Sequence, residues 1–146
     1  MEIGRANHCV YQIRYHMVMC VKYRKRLLKE AERCQFLKRT WAEIAERYEF
    51  KLDEMGTDGD HVHVFVGAAP RYAPSRVMQI LKSITAREMF KRYPEIKKQL
   101  WGGEFWSDGG YIGTVGDGVT TEIVRKYVRE QGSEEEKARI KQLKLF

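Results

Sequence analysis

From Cys9 to Val21 every odd position is apolar (Cys9, Tyr11, Ile13, Tyr15, Met17, Met19, Val21), with Gln12, Arg14 and His16 set between them. Side chains of a strand alternate with period two, so the pattern predicts one long strand with a single core-facing side. The 146 residues suit one domain over 1–146, and 43% hydrophobic with 32% charged residues is the balance of a globular chain.

The basic cluster Lys22, Arg24, Lys25 and Arg26 closes that strand. Cys34, Leu37, Trp41, Ile44 and Tyr48 then recur at spacings of three and four, which predicts an amphipathic helix. Phe50–Met55 and His61–Val66 flank Gly56-Thr57-Asp58-Gly59-Asp60, which predicts a hairpin with a tight primed turn at Asp58-Gly59. Ala73-Pro74-Ser75 opens a second helix through Val77, Ile80, Leu81 and Ile84, and Tyr93-Pro94 ends it. A glycine-rich aromatic loop from Trp101 to Gly110 precedes a short fourth strand, Tyr111 to Val115.

The resulting order is βαββαβ, an α+β chain of the ferredoxin-like or RRM-like type. Two helices cover one face of a four-stranded antiparallel sheet and leave the other face for a ligand. Beyond Gly116-Asp117-Gly118, Thr120 or Thr121 can cap a C-terminal helix that runs through Tyr127 to Gln131 and stops at Gly132. Ser133 and Glu136 have capping-box spacing, which predicts a short helical tail over 133–146.

Lys and Arg total 27 against 20 Asp and Glu, and the resulting +7 favours a polyanionic partner, either nucleic acid or an acidic membrane. No apolar run is long enough to span a bilayer and the first ten residues lack a secretory pattern, so the expectation is a cytoplasmic protein without a membrane partner. Cys9, Cys20 and Cys34 are odd in number and widely spaced, which suits neither a disulfide framework nor a Cys-x-x-Cys metal site; buried thiols are expected.

Val62, Val64 and Val66 occupy alternate positions of the second hairpin arm, so His61 and His63 emerge together on the opposite face. Positions two apart on a strand lie about 7 Å from each other, close enough for two imidazoles to converge on one cation. Tyr127 and Gln131 are four apart and share a helical face, with roughly 6 Å between their side-chain origins. The same alternation turns Asp60 away from His61, and no general base is assigned to it.

Tyr15-His16-Met17-Val18 with Lys22-Tyr23-Arg24, Asp60-His61-Val62-His63-Val64-Phe65-Val66, Leu81-Lys82-Ser83-Ile84-Thr85, Phe105-Trp106-Ser107, and Lys126-Tyr127-Val128 with Gln131 follow one another in order. Together they resemble the single-tyrosine HUH transposases of insertion sequences that move as single-stranded DNA, to which the REP-associated tyrosine transposases are related. The resemblance implies that His61, His63 and Gln131 are metal ligands and that Tyr127 is the nucleophile that becomes joined to a DNA 5′-phosphate. It further implies a divalent metal cofactor (Mg or Mn), recognition of single-stranded DNA hairpins at the element's ends, and a homodimer with composite active sites. In such sites the His pair of one subunit meets the tyrosine helix of either.

Two imidazoles and an amide intrinsically favour manganese or zinc, so availability and substrate oxygens would decide the metal. Attack by tyrosine rather than water keeps a reactive ester, which suits strand transfer without ATP, and no Walker-type loop occurs. Arg24, Lys25, Arg26, Arg76, Lys82, Arg87 and Lys91 could neutralise phosphates, while Trp101, Phe105, Trp106 and Tyr111 could stack unpaired bases.

A non-catalytic RNA- or single-stranded-DNA-binding domain on the same plan is the competing reading. It calls for aromatics on the central strands, where this chain has His61 and His63, and for an RNP-type run that is absent. A phosphoesterase with paired His-x-Thr/Ser motifs fails by inspection, because His8, His16, His61 and His63 are followed two places on by Val10, Val18, His63 and Phe65.

Overall fold

The computed structural model describes residues 3–6 and 9–115. The predicted helix over 120–131 and the tail over 133–146, with Tyr127 and Gln131, lie outside the described residues. The alternating run does not form one strand. Among the described residues its first part, β2 (Cys9–Tyr11), pairs only with β1 (Gly4–Ala6), in a small antiparallel ribbon. Its second part, β3 (Tyr15–Cys20), enters the main sheet. Between them Arg14 is buried, and its Nε donates to the Asp53 carboxylate at 2.6 Å. A buried guanidinium needs such a partner.

Helix α1 (Ala31–Tyr48) buries Leu37, Trp41 and Ile44, the stripe its periodicity announced. It ends where Glu49 turns left-handed and its N–H reaches the Ala45 carbonyl. The hairpin joins β4 (Lys51–Thr57) to β5 (His61–Gly67) through three residues rather than two, with Gly59 at φ 62. Glycine enters that left-handed region without the Cβ penalty other residues carry. Helix α2 (Pro74–Arg92) starts with proline at its first position and buries Val77, Met78, Ile80, Leu81, Thr85 and Met89. Strand β6 (Tyr111–Thr114) completes the set.

The sheet order is β4-β5-β3-β6, antiparallel throughout, which is the ferredoxin-like arrangement expected from βαββαβ. Met17, Met19, Val62, Val64 and Val66 pack with residues of both helices in one core. Phe65 and Val115 form a separate cluster, so β5 presents two distinct faces as its alternation required. Part of the glycine-rich segment behaves as strand. Val21 bridges Trp106, the Lys22 N–H donates to the Phe105 carbonyl and the Ser107 N–H donates to the Cys20 carbonyl, both at 2.8 Å.

Candidate functional site

His61 and His63 lie on the face of β5 away from the valines, opposite Cys20 and Val18 of β3. This face is not an open surface: His16, Val18, Cys20, His61 and Phe65 are all buried. The His61 Nδ1 lies 2.9 Å from Oδ1 of Asp60, whose Oδ2 accepts from the Arg24 Nε at 3.2 Å. Contrary to strict alternation, Asp60 therefore reaches His61. It precedes β5 in the hairpin turn, where the pleat has not begun. Partial burial pushes the Asp60 carboxyl up, but the hydrogen bond to His61 and the charge of Arg24 outweigh it and hold the group below the ordinary carboxylate range. A carboxylate on Nδ1 fixes the proton there and leaves Nε2 of His61 as the nitrogen with a free lone pair.

His63 faces Gly56 across the ladder, and its ring occupies the space that a Cβ on residue 56 would fill. The sequence pattern places Gly56 in the turn, whereas β4 runs through it to Thr57, and a glycine within a strand marks such a close approach. The His63 Nδ1 is buried without a hydrogen-bond partner among the described residues. Burial, assisted by His61, pushes the His63 imidazole down to about 4. His16 shares the face, stacked on Phe65 at 5.0 Å and edge-on to Tyr111 at 5.4 Å. Its Nε2 is likewise buried and unpartnered, and burial, with His63 nearby, lowers its titration to about 4. Cys20, opposite His61, is pushed up to about 12 by burial and remains a thiol. Cys34 is half-buried, with its Sγ donating to the Leu28 carbonyl, whereas Cys9 is exposed rather than buried as expected.

These features suit a divalent cation: an imidazole oriented from behind by a carboxylate, and a second that is neutral with an orphaned buried nitrogen. Among the described residues no group of three or more His, Cys, Asp and Glu side chains could hold a metal ion, so the pair needs at least one further donor.

Trp106 is a core residue, 5% exposed, and its Nε1 donates to the Thr85 Oγ1 at 2.9 Å while Thr85 Oγ1 donates to the Leu81 carbonyl. That corrects its expected role in stacking bases. Phe105, 1% exposed, is interior as well. Lys82 also departs from expectation: its Nζ donates to the carbonyls of Ser107 and Gly109, so it clasps the glycine-rich segment to α2 instead of facing phosphate. Lys25, Arg76 and Arg87 are exposed, Arg76 donating to Gln79 and Arg87 pairing with Glu88. Arg24 is half-buried on Asp60. Tyr23, which sequence reasoning cites only within the Lys22-Tyr23-Arg24 motif and assigns no role, is exposed beside Trp101. Tyr23 (φ 58) and Arg24 (φ 53) both adopt the left-handed region, at a cost of roughly 1–2 kcal/mol each.

Residues 9–131 match the family described as "Transposase IS200 like". The chain is 35% identical over 135 residues to the ISDra2 transposase TnpA of Deinococcus radiodurans, covering 92% of this chain and 95% of that one. It is 24% identical over 128 residues to the transposase of insertion sequence element IS200 from Salmonella typhimurium, covering 88% and 82%. Among solved structures, a putative transposase from Deinococcus radiodurans superposes with a TM-score of 0.70 at 30% identity, covering 90% of this chain and 98% of that one. A REP-associated tyrosine transposase bound to a REP hairpin shares the fold, with a TM-score of 0.54 at 14% identity, covering 88% and 68%.

Proposed function

The chain belongs to the IS200-like transposase family, and on that footing we propose that it cleaves and rejoins single-stranded DNA at insertion-sequence ends through a 5′-phosphotyrosine intermediate. The observation that carries the proposal is the pair His61 and His63 on the face opposite the helices, with His61 held from behind by Asp60. His61, His63 and Gln131 would hold a divalent cation, Mg or Mn. Such a cation supplies charge stabilisation on the scissile phosphate and its leaving oxygen.

Tyr127 Oη attacks phosphorus in line. The Oη–P bond forms as the P–O3′ bond breaks, and the phenol proton ends on the released 3′-hydroxyl. A different 3′-hydroxyl then attacks the phosphotyrosine, re-forming the phosphodiester and returning the proton to Tyr127, so no ATP is consumed. Asp60 keeps His61 oriented, and Gly56 leaves His63 room to lie flat on β4. The substrates are hairpins folded from one strand, in keeping with the hairpin-bound fold neighbour. The active unit is a homodimer with the His pair of one subunit beside the tyrosine helix of either.

Incubation with labelled hairpin-bearing single strands or fully paired duplexes, with manganese or EDTA, followed by denaturing electrophoresis, tests this. Cleavage of the single strand alone, only with metal, is expected. Equal cleavage of duplex, or cleavage in EDTA, would overturn it.

A further inference from the structure

The turn that leaves β3 and the segment that returns beside it place two aromatic rings in water. Tyr23 is 50% exposed and Trp101 76%, with ring centroids 5.7 Å apart and planes tilted by 54°. Three contacts fix them. The Tyr23 hydroxyl donates to the Trp101 carbonyl at 3.2 Å, the Lys22 N–H donates to the Phe105 carbonyl at 2.8 Å, and the Lys22 Nζ pairs with Glu104 at 2.9 Å. Burying these rings would be favourable, yet they stand outside, Tyr23 on a turn whose two left-handed residues are themselves strained. Strain retained in this way clusters at binding sites.

Two further facts say what the rings face. Arg24, Lys25 and Arg26 follow Tyr23, the last two exposed, so the turn itself is cationic. The same turn also reaches the histidine site: the Val21 N–H donates to the Asp60 carbonyl at 2.8 Å, and Arg24 holds the Asp60 carboxylate that orients His61. Tyr23 is three residues from Cys20, the ladder partner of His61, a chain distance of at most about 11 Å.

We infer that Tyr23 and Trp101 form a preorganised platform on which one unpaired base of single-stranded DNA stacks beside the His61–His63 site, with Lys25 and Arg26 against its flanking phosphates. The inference rests on the single-strand transposase reading and deepens it. Every base offers a π face, so the platform is tolerant of sequence; a paired base hides that face within the helix, so the platform selects unpaired DNA.

Trp41 and Trp106 are buried, which leaves Trp101 as the exposed indole that a stacked base can quench. The test titrates the full-length protein with oligothymidylate, and in parallel with its duplex with oligoadenylate, reading tryptophan emission and fluorescence anisotropy of the labelled DNA. The single strand is expected to quench the emission and the duplex not. Trp101→Phe should keep affinity within about threefold while losing the quench, and Trp101→Ala and Tyr23→Ala should each weaken single-strand binding roughly 5- to 100-fold. Both side chains are too exposed for truncation to unfold the chain, which circular dichroism of each variant verifies. Single-strand binding without quenching, and with both alanine variants within twofold of the parent, overturns the platform and leaves the transposase reading standing. Absence of any single-strand binding by the parent protein removes both.

Discussion

Asp60 makes His61 a one-sided group, with its Nδ1 occupied at 2.9 Å and only Nε2 left to offer. Removing such an orienting carboxylate usually lowers metal affinity about 10- to 100-fold. Asp60→Ala is therefore expected to weaken manganese binding by that factor in calorimetric titration while the circular dichroism spectrum stays that of the parent. Unchanged affinity would mean that Asp60 serves Arg24 alone. His16 acts through pH. The unfolded chain protonates this imidazole near 6.5, whereas the folded one does so only at about 4. Between those values the unfolded state binds more protons, so stability is full above 6.5 and falls as the pH drops toward 4. His63 adds in the same direction. His16→Phe keeps the stack on Phe65 and removes one proton site; in EDTA its loss of stability between pH 7 and pH 4.5 should be smaller than the parent's by about 1–3 kcal/mol. Urea midpoints at the two pH values measure this, and equal losses would contradict it. At this scale the valine alternation made the face of both histidines legible. The reach of Asp60 was not, because it depends on where the turn ends and the pleat begins.

Elements with a strong local period were legible, and those defined by their partners were not. Helices α1 and α2 follow from three- and four-residue spacing and from Pro74 and Pro94. The run from Cys9 to Val21 has an unbroken period of two, yet its halves pair with different strands, and at the break Arg14 is buried against the distant Asp53. Likewise Phe105–Ser107 reads as loop by its glycine neighbours but lies along the end of β3. Lys82, together with the Trp106–Thr85 hydrogen bond, ties that segment to α2, and partial burial lowers its pKa from the ordinary lysine value. Lys82→Met would leave the Ser107 and Gly109 carbonyls without their donor and is expected to destabilise the protein by about 1–3 kcal/mol in urea unfolding. The salt dependence of DNA binding should be unaltered. A slope reduced by about one with unchanged stability would return Lys82 to the role of a phosphate contact.

For the whole molecule, a basic ferredoxin-like domain brings two imidazoles together on one sheet face and carries an exposed aromatic pair whose turn holds the Asp60 carboxylate behind His61. Catalysis on this account needs two more groups, Gln131 as donor and Tyr127 as nucleophile, carried by a C-terminal helix of the same or a second subunit. These proposed roles come only from the order of motifs along the chain, since a phenol and an amide four residues apart are ordinary in themselves. The most direct measurement is peptide mapping by mass spectrometry of the protein after reaction with a hairpin-bearing single strand and manganese. The expected result is a nucleotide mass on the peptide containing Tyr127, absent from Tyr127→Phe and from His61→Ala, with both variants still dimeric by light scattering. A nucleotide on any other side chain, or strand cleavage by Tyr127→Phe, would contradict it.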